Sequence, residues 1–173
     1  MDSNPTPVTE GIVEIWTDGG CKPNPGPGGW SAILCFKGTI RELSGGDLGT
    51  TNNRMELTAA AEALESLKRP CRVVLNTDSE YLKNGITRWH TGWVRKGWKN
   101  AAGAAVANMD LWRRILDAAK PHEIDWRWVR GHSGNVMNER ADVLATLARE
   151  QLSRVAVVEF GISRHNLAKD GTE

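Results

Sequence analysis

Several things are scarce in this sequence, and each scarcity excludes something. No apolar run approaches the eighteen or so residues that a membrane helix needs, and Met1 to Glu10 has no basic patch leading into an apolar stretch. The expectation is a cytoplasmic protein with no membrane partner. Three cysteines, Cys21, Cys35 and Cys71, are odd in number, far apart and free of any C-x-x-C or His pairing, which argues against a disulfide framework or a zinc site. Phe and Tyr are rare, two and one against eight Trp, and one stretch has no acid at all. Between Lys83 and Met109 stand Lys83, Arg88, Arg95, Lys96 and Lys99 with no Asp or Glu, a local +5 on a chain of net +1, so the remainder is −4. Trp89, Trp93 and Trp98 interleave with those cations. Cation and flat ring together suit a polyanion that carries bases.

What is present describes one domain. At 173 residues, 40% of them apolar, the chain can bury a single core. Residues 12–18 (IVEIWTD) read as a strand, followed by the turn CKPNPGPGG; residues 30–36 and 39–43 flank Lys37-Gly38 and read as a hairpin, with a polar, Gly-rich loop over 44–50. Helical spacing then takes over at 51–68, RVVLNTD at 72–78 is another strand, and helices are expected from Ser79 towards Trp89, at 108–120 and at 138–152, with a strand at 123–129. The order βββ, α, β, α, α, β, α predicts an α/β fold: a mixed sheet with helices on its faces. Residues 1–11 are expected to be a flexible lead, 12–152 the domain, and 153–173 an extension for which strand, short helix and loose tail remain open.

Four acids stand where carboxylates are costly or juxtaposed. Glu56, followed at helical offsets by Ala60, Ala63, Leu64 and Leu67, lies on the apolar stripe of its helix, where an unpaired charge costs at least several kcal/mol unless protonated, paired or bound to a cation. A plain alternative is dipole compensation in a first helical turn. Asp18 and Asp78 end their strands alike, in TDG and TDS; each alone could be a turn or capping residue. If both strands are central and parallel, the two acids emerge side by side beneath the helix of Glu56. Asp142 follows Asn138-Glu139-Arg140-Ala141 beside the stripe Ala141, Leu144, Ala145 and Ala148, with first-turn dipole compensation again the alternative. Oxygen donors without His or Cys select Mg²⁺ or Mn²⁺, and two such ions about 3.5 to 4 Å apart clamp the attacking and leaving oxygens of a phosphodiester. That is nuclease chemistry.

TDGGCKPNPGPGGW (17–30), TNNRMELTAA (51–60), TDSEYLKNGI (77–86), GWKN (97–100) and GHSGNVMNERAD (131–142) together resemble type 1 ribonuclease H, in the family's order and over roughly residues 12–150. The resemblance implies a ribonuclease H-like fold, a five-stranded mixed sheet with three antiparallel strands and then two parallel ones, helices covering both faces. It implies hydrolysis of the RNA strand of RNA–DNA hybrids to 5′-phosphate and 3′-hydroxyl ends, with two Mg²⁺ ions and Mn²⁺ as a substitute. By motif, Asp18, Glu56, Asp78 and Asp142 match the metal-binding carboxylates, and His132, between Gly131 and Ser133-Gly134, matches a mobile histidine that moves a proton to the leaving oxygen or helps product depart. Glu139 matches an acid near the site.

Substrate contacts are implied by the same resemblance. Asn24, Asn52 and Asn53 match backbone contacts near the site, Glu80 a minor-groove neighbour, and Thr51 a pocket for a DNA-strand phosphate. Trp93, Arg95, Lys96, Trp98 and Lys99 match a basic protrusion, with Trp89 expected in the core and 95–99 exposed. The chain departs from the pattern after Lys99, where AAGAAVA replaces further lysines; fewer phosphate contacts predict weaker affinity and a gentler salt dependence. Asn135-Val136-Met137 also lacks the His-Pro-Glu common in the loop. Two rivals stand beside this reading. A hybrid-binding module without catalysis gives no reason to keep four acids that repel phosphates, and an integrase-like or junction-resolving nuclease is disfavoured by Asn52-Asn53 and the basic protrusion. Size and the lack of a long exposed apolar repeat favour a monomer.

Overall fold

The computed structural model describes residues 9–130 and 134–160. The elements run β1 (Thr9–Cys21), β2 (Gly26–Phe36), β3 (Thr39–Thr50), α1 (Asn52–Glu65), β4 (Cys71–Thr77), α2 (Glu80–Asn84), a π-helical turn (Gly85–Trp89), α3 (His90–Arg95), α4 (Met109–Ala119), β5 (Glu123–Trp128) and α5 (Val136–Phe160). The sheet order is β3-β2-β1-β4-β5. β1–β2 and β2–β3 are antiparallel, and β4 joins β1 and β5 as parallel neighbours, as expected.

Alternation along β2 explains why helices cover both faces. Ala32 and Leu34 join the core with Val13, Ile15, Val73 and Leu75, against Leu57, Ala60 and Leu64 of α1. From the other face the Ser31 hydroxyl donates to the Ala141 carbonyl at 2.6 Å, seating α5. α1 is buried over most of its circumference because α4 covers its outer side, bound by Arg54–Asp110 at 2.8 Å and by Arg114 with Glu62 and Glu65 at 3.2 and 2.9 Å. Trp112, fully buried, is the largest side chain of that interior.

The boundaries differ from expectation where tertiary contacts override local signals. Thr9, expected in the flexible lead, pairs with Cys71, and Gly11 at φ +96° lies within the register shift between Thr9 and Ile12. Residues 44–50, expected as a loop, complete β3; Gly45 pairs with Trp30, whose ring lies directly over it. The turn after β1 shortens accordingly, with Gly26 already in β2. α1 stops at Glu65, where the Ser66 N–H closes on Glu62 O, three residues before the expected end. The last helix runs through Phe160 rather than 152, and buried Ala156 lies in that added part.

Candidate active site

β1 and β4 run parallel with Trp16 beside Asn76, so two residues further on Asp18 and Asp78 lie side by side; Asp78 follows the end of β4, whereas Asp18, expected to end its strand, stays paired with Ser31 inside β1, which the β2 pairing carries on to Cys21. Asp78 is steadied through its backbone carbonyl, which accepts from Trp128 Nε1 at 3.2 Å, and Ser79 caps α2 through its hydroxyl. Glu56 descends from α1, whose N-cap Thr51 accepts the Arg54 N–H at 3.2 Å. The approach is close. A Cβ on Gly19 would collide with the Met55 and Glu56 backbone, so only glycine lets α1 lie against the end of β1.

The result is a convergent trio. One carboxylate oxygen from each of Asp18, Glu56 and Asp78 lies within 4.8 Å of the others. Asp18 and Glu56 are each only 9% exposed, and Glu56 Oε2 is buried with no hydrogen-bond partner. Burial first, then the charges of Asp78 and Asp142, push the Asp18 carboxyl up to about 7. Burial, with the charges of Asp18 and Asp78 second to it, raises Glu56 well above the usual carboxylate range. The backbone of Gly19, close to both carboxyls, opposes both shifts.

Three acids crowded together, two of them buried and Asp78 half-buried, repel one another and leave a lone pair unused. Protons or a hard cation relieve both problems, and an all-oxygen donor set fits Mg²⁺ or Mn²⁺. Asp142 stands at the rim. It is exposed, its charge contributes to raising Asp18, and it shares with Asp18 and Asp78 a cleft of about 300 Å³. Glu139, not Asp142, is the acid of α5's first turn, so dipole compensation does not account for Asp142. Glu139 is exposed. His132 lies outside the described residues.

Beside the acids, Asn24, Asn52 and Cys21 form one group. Asn52 Oδ1 accepts the Cys21 N–H at 2.8 Å and Asn24 Oδ1 accepts the Asn52 N–H at 3.2 Å, which ties down both oxygens and leaves the amide N–H₂ groups as donors. Asn53 and Glu80 are exposed at the starts of α1 and α2. Arg95, Lys96 and Lys99 are exposed, and no carboxylate among the described residues pairs with them.

Two expectations about tryptophan are corrected. Trp98, expected on the exposed contact surface, is 8% exposed within the core cluster, while Trp89, expected in the core, is 37% exposed. Trp93 is half-buried between Trp89, Trp98 and Trp112, with ring centroids 5.2 to 5.9 Å apart. Sequence reasoning also missed Gly19 and Arg149. Arg149 lines the acid cleft, and its place seven residues after Asp142, on the same helical face, was the available signal.

The RNase H family profile matches residues 10–150. Curated relatives called Ribonuclease H include one from Granulibacter bethesdensis, 78% identical over 138 residues, which are 80% of this chain and 92% of the relative. Another, from Hydrogenovibrio crunogenus, is 57% identical over 82% of this chain and 97% of its own. Among solved structures, LC9-RNase H1, described as a type 1 RNase H with the type 2 active-site motif, superposes with a TM-score of 0.75 at 34% identity, covering 84% of this chain and 75% of that one. A second, LC11-RNase H1 in complex with RNA/DNA hybrid, has a TM-score of 0.63 at 22% identity over 82% of this chain and 99% of that one, and shares the fold.

Proposed function

The chain belongs to the RNase H family and is an endoribonuclease, and on that premise we propose that it cuts the RNA strand of RNA–DNA hybrids to 5′-phosphate and 3′-hydroxyl ends with two Mg²⁺ ions, Mn²⁺ substituting. The observation that carries this is the Asp18, Glu56 and Asp78 trio with its orphaned Glu56 oxygen. Asp18, Glu56, Asp78 and Asp142 would hold the ions. When bound, they stabilise charge on the attacking and leaving oxygens of an in-line displacement.

The chain's own groups do the rest. Water oxygen bonds to phosphorus as the P–O3′ bond breaks; the attacking water gives up one proton to solvent and the leaving oxygen takes one. His132 is proposed to deliver it or to help product depart. Amide donors of Asn24, Asn52 and Asn53 suit the minor groove, where the 2′-hydroxyl, donor and acceptor at once, distinguishes RNA from DNA. Thr51, at the α1 N-terminus, and the exposed Arg95, Lys96 and Lys99 are assigned to phosphates of the DNA strand, with Glu80 near the groove and the half-buried Trp93 supporting that surface. We assign Trp98 a supporting place beneath it. The hybrid complex of LC11-RNase H1 supports the choice of partner. The reading includes a cytoplasmic monomer, and no helix among the described residues is long and apolar enough to cross a membrane.

A strand-labelled hybrid, incubated with Mg²⁺ and then with Mg²⁺ plus EDTA, tests the proposal. RNA-strand fragments with 3′-hydroxyl ends are expected only without chelator; an uncut hybrid, or cutting of duplex DNA instead, overturns it. Asp18→Asn and Asp78→Asn should each lower turnover by about 10³-fold or more, whereas His132→Ala should lower it by about 10- to 100-fold.

A further inference from the structure

The acid cleft does not end at the acids. Its lining also includes Lys22, Ala145, Thr146 and Arg149, and Lys22 and Arg149 border a second cleft of about 300 Å³ as well, together with Glu150, Ser153 and Arg154. Arg149 is fixed there by packing. Its side chain is 20% exposed, and Gly29 of β2 lies beneath its Cβ, so that any side chain at 29 would strike α5.

Among the described residues the only carboxylate partner of Arg149 or Arg154 is Glu150, at 4.0 and 3.8 Å. Both distances exceed the range of about 2.7 to 2.9 Å for charge-assisted hydrogen bonds, so the guanidinium donors stay available to another anion. Lys22 is exposed on the turn after β1, with its N–H held by Pro27 O at 3.0 Å. Three cations therefore continue from the edge of an acidic cage that must admit a polyanion.

We propose that Lys22, Arg149 and Arg154 form a phosphate track that holds the scissile strand on one side of the cut, an inference that rests on the hybrid-ribonuclease reading. The two clefts share a wall, so a strand seated among the acids enters the second cleft directly, while its complement lies a groove width away. The other charged groups that line the two clefts are carboxylates, Asp18, Asp78 and Asp142 in the first and Glu150 in the second. The track offsets their repulsion of phosphates, and it acts on binding of the strand rather than on the reacting bond.

The test is steady-state hybrid cleavage in Mg²⁺ by the full chain between about 50 and 200 mM salt. Lys22→Gln, Arg149→Gln and their combination are compared with Arg72→Gln, which removes one charge at the opposite end of β4. Arg149→Gln is expected to raise KM about 3- to 10-fold with kcat changed by at most about twofold. The double variant should flatten the salt slope by roughly 0.9 for each phosphate no longer neutralised, and Arg72→Gln should leave both quantities alone. Hybrids whose RNA ends just beyond the cut on the track side should erase the difference between wild type and variant.

An unchanged KM and salt slope in the double variant overturns the track. So does an effect seen only in the Mg²⁺ concentration required, which would make Arg149 a mere counter-charge to the acids. If Arg149→Gln fails to fold, exposed Lys22→Gln carries the same test with the same two outcomes. Failure of wild type to cut any hybrid with Mg²⁺ or Mn²⁺ is the separate result that removes the ribonuclease reading and the track with it.

Discussion

Glu56 and Asp18 are held where water solvates them poorly, and this sets the pH behaviour of the metal-free protein. Asp18's carboxyl lies at about 7 in the fold against an ordinary 3.8, so folding favours its protonated form. Its contribution is fully present below about pH 4 and is lost as pH rises through about 7, because the folded state then carries a crowded, desolvated charge that the unfolded chain carries at no cost. Asp18→Asn should therefore match wild type in EDTA near pH 4 and exceed it above pH 7 by on the order of 2 to 4 kcal/mol. Thermal unfolding across pH measures this. A wild type more stable than the variant at pH 8 without metal would contradict the burial argument, and added Mg²⁺ should raise the wild-type melting temperature more than the variant's.

At the scale of elements, the site depends on how closely two helices approach the sheet. Gly19 admits α1 and Gly29 admits α5, each at a point where an added Cβ would meet helix backbone rather than a movable side-chain end. Gly19→Ala should displace Glu56, costing about 1 to 3 kcal/mol and lowering hybrid cleavage by about 10²-fold, with the fold kept by circular dichroism. Wild-type activity in that variant would mean that α1 tolerates the shift. Helix geometry also governs the tryptophans between residues 80 and 98. The π turn at Gly85–Trp89 adds a residue to one turn and rotates the helix beyond it, so Trp89 lies partly outside while Trp93 is half-buried; Trp98, past the end of α3, is turned inward by its own backbone at φ +62°, its N–H held by Trp93 O at 2.7 Å. A regular helix over 79–89 would have kept Trp89 inside, and the exposure expected for 95–99 overlooked that Trp98 could fold back under its charged neighbours.

For the molecule as a whole, the separation of charge governs affinity. Arg95, Lys96 and Lys99 stand exposed on one surface, and Ala101, Ala102 and Ala104 beside them are exposed with nothing to offer a phosphate. Replacing the three cations by Gln should weaken hybrid binding and lower the slope of log K against log salt by up to about 0.9 for each cation that neutralises a phosphate, while changing stability by no more than about 0.5 kcal/mol. Ala101→Lys with Ala102→Lys should steepen the slope. Binding titrations at several salt concentrations decide both, and a slope unmoved by all five substitutions would place the hybrid elsewhere.

Element types and their order were legible in the sequence because hydrophobic period and Gly and Pro breaks are local signals; of the paired TDG and TDS only the second ends a strand, since pairing with β2 carries β1 on to Cys21. Legible too was the suspicion attached to Glu56, since a charge on an apolar stripe is visible without coordinates. Other features exist only once distant segments meet. Gly45 is in a strand because Trp30 covers it, and the helix passes 152 with Ala156 packed in the interior. Arg149 joins the acids because Gly29, far away in the chain, leaves it room. Sequence patterns report which residues need burial or charge partners; which partner each one finds is decided by the register of β1 on β4 and by the two glycine contacts that bring helices onto the sheet.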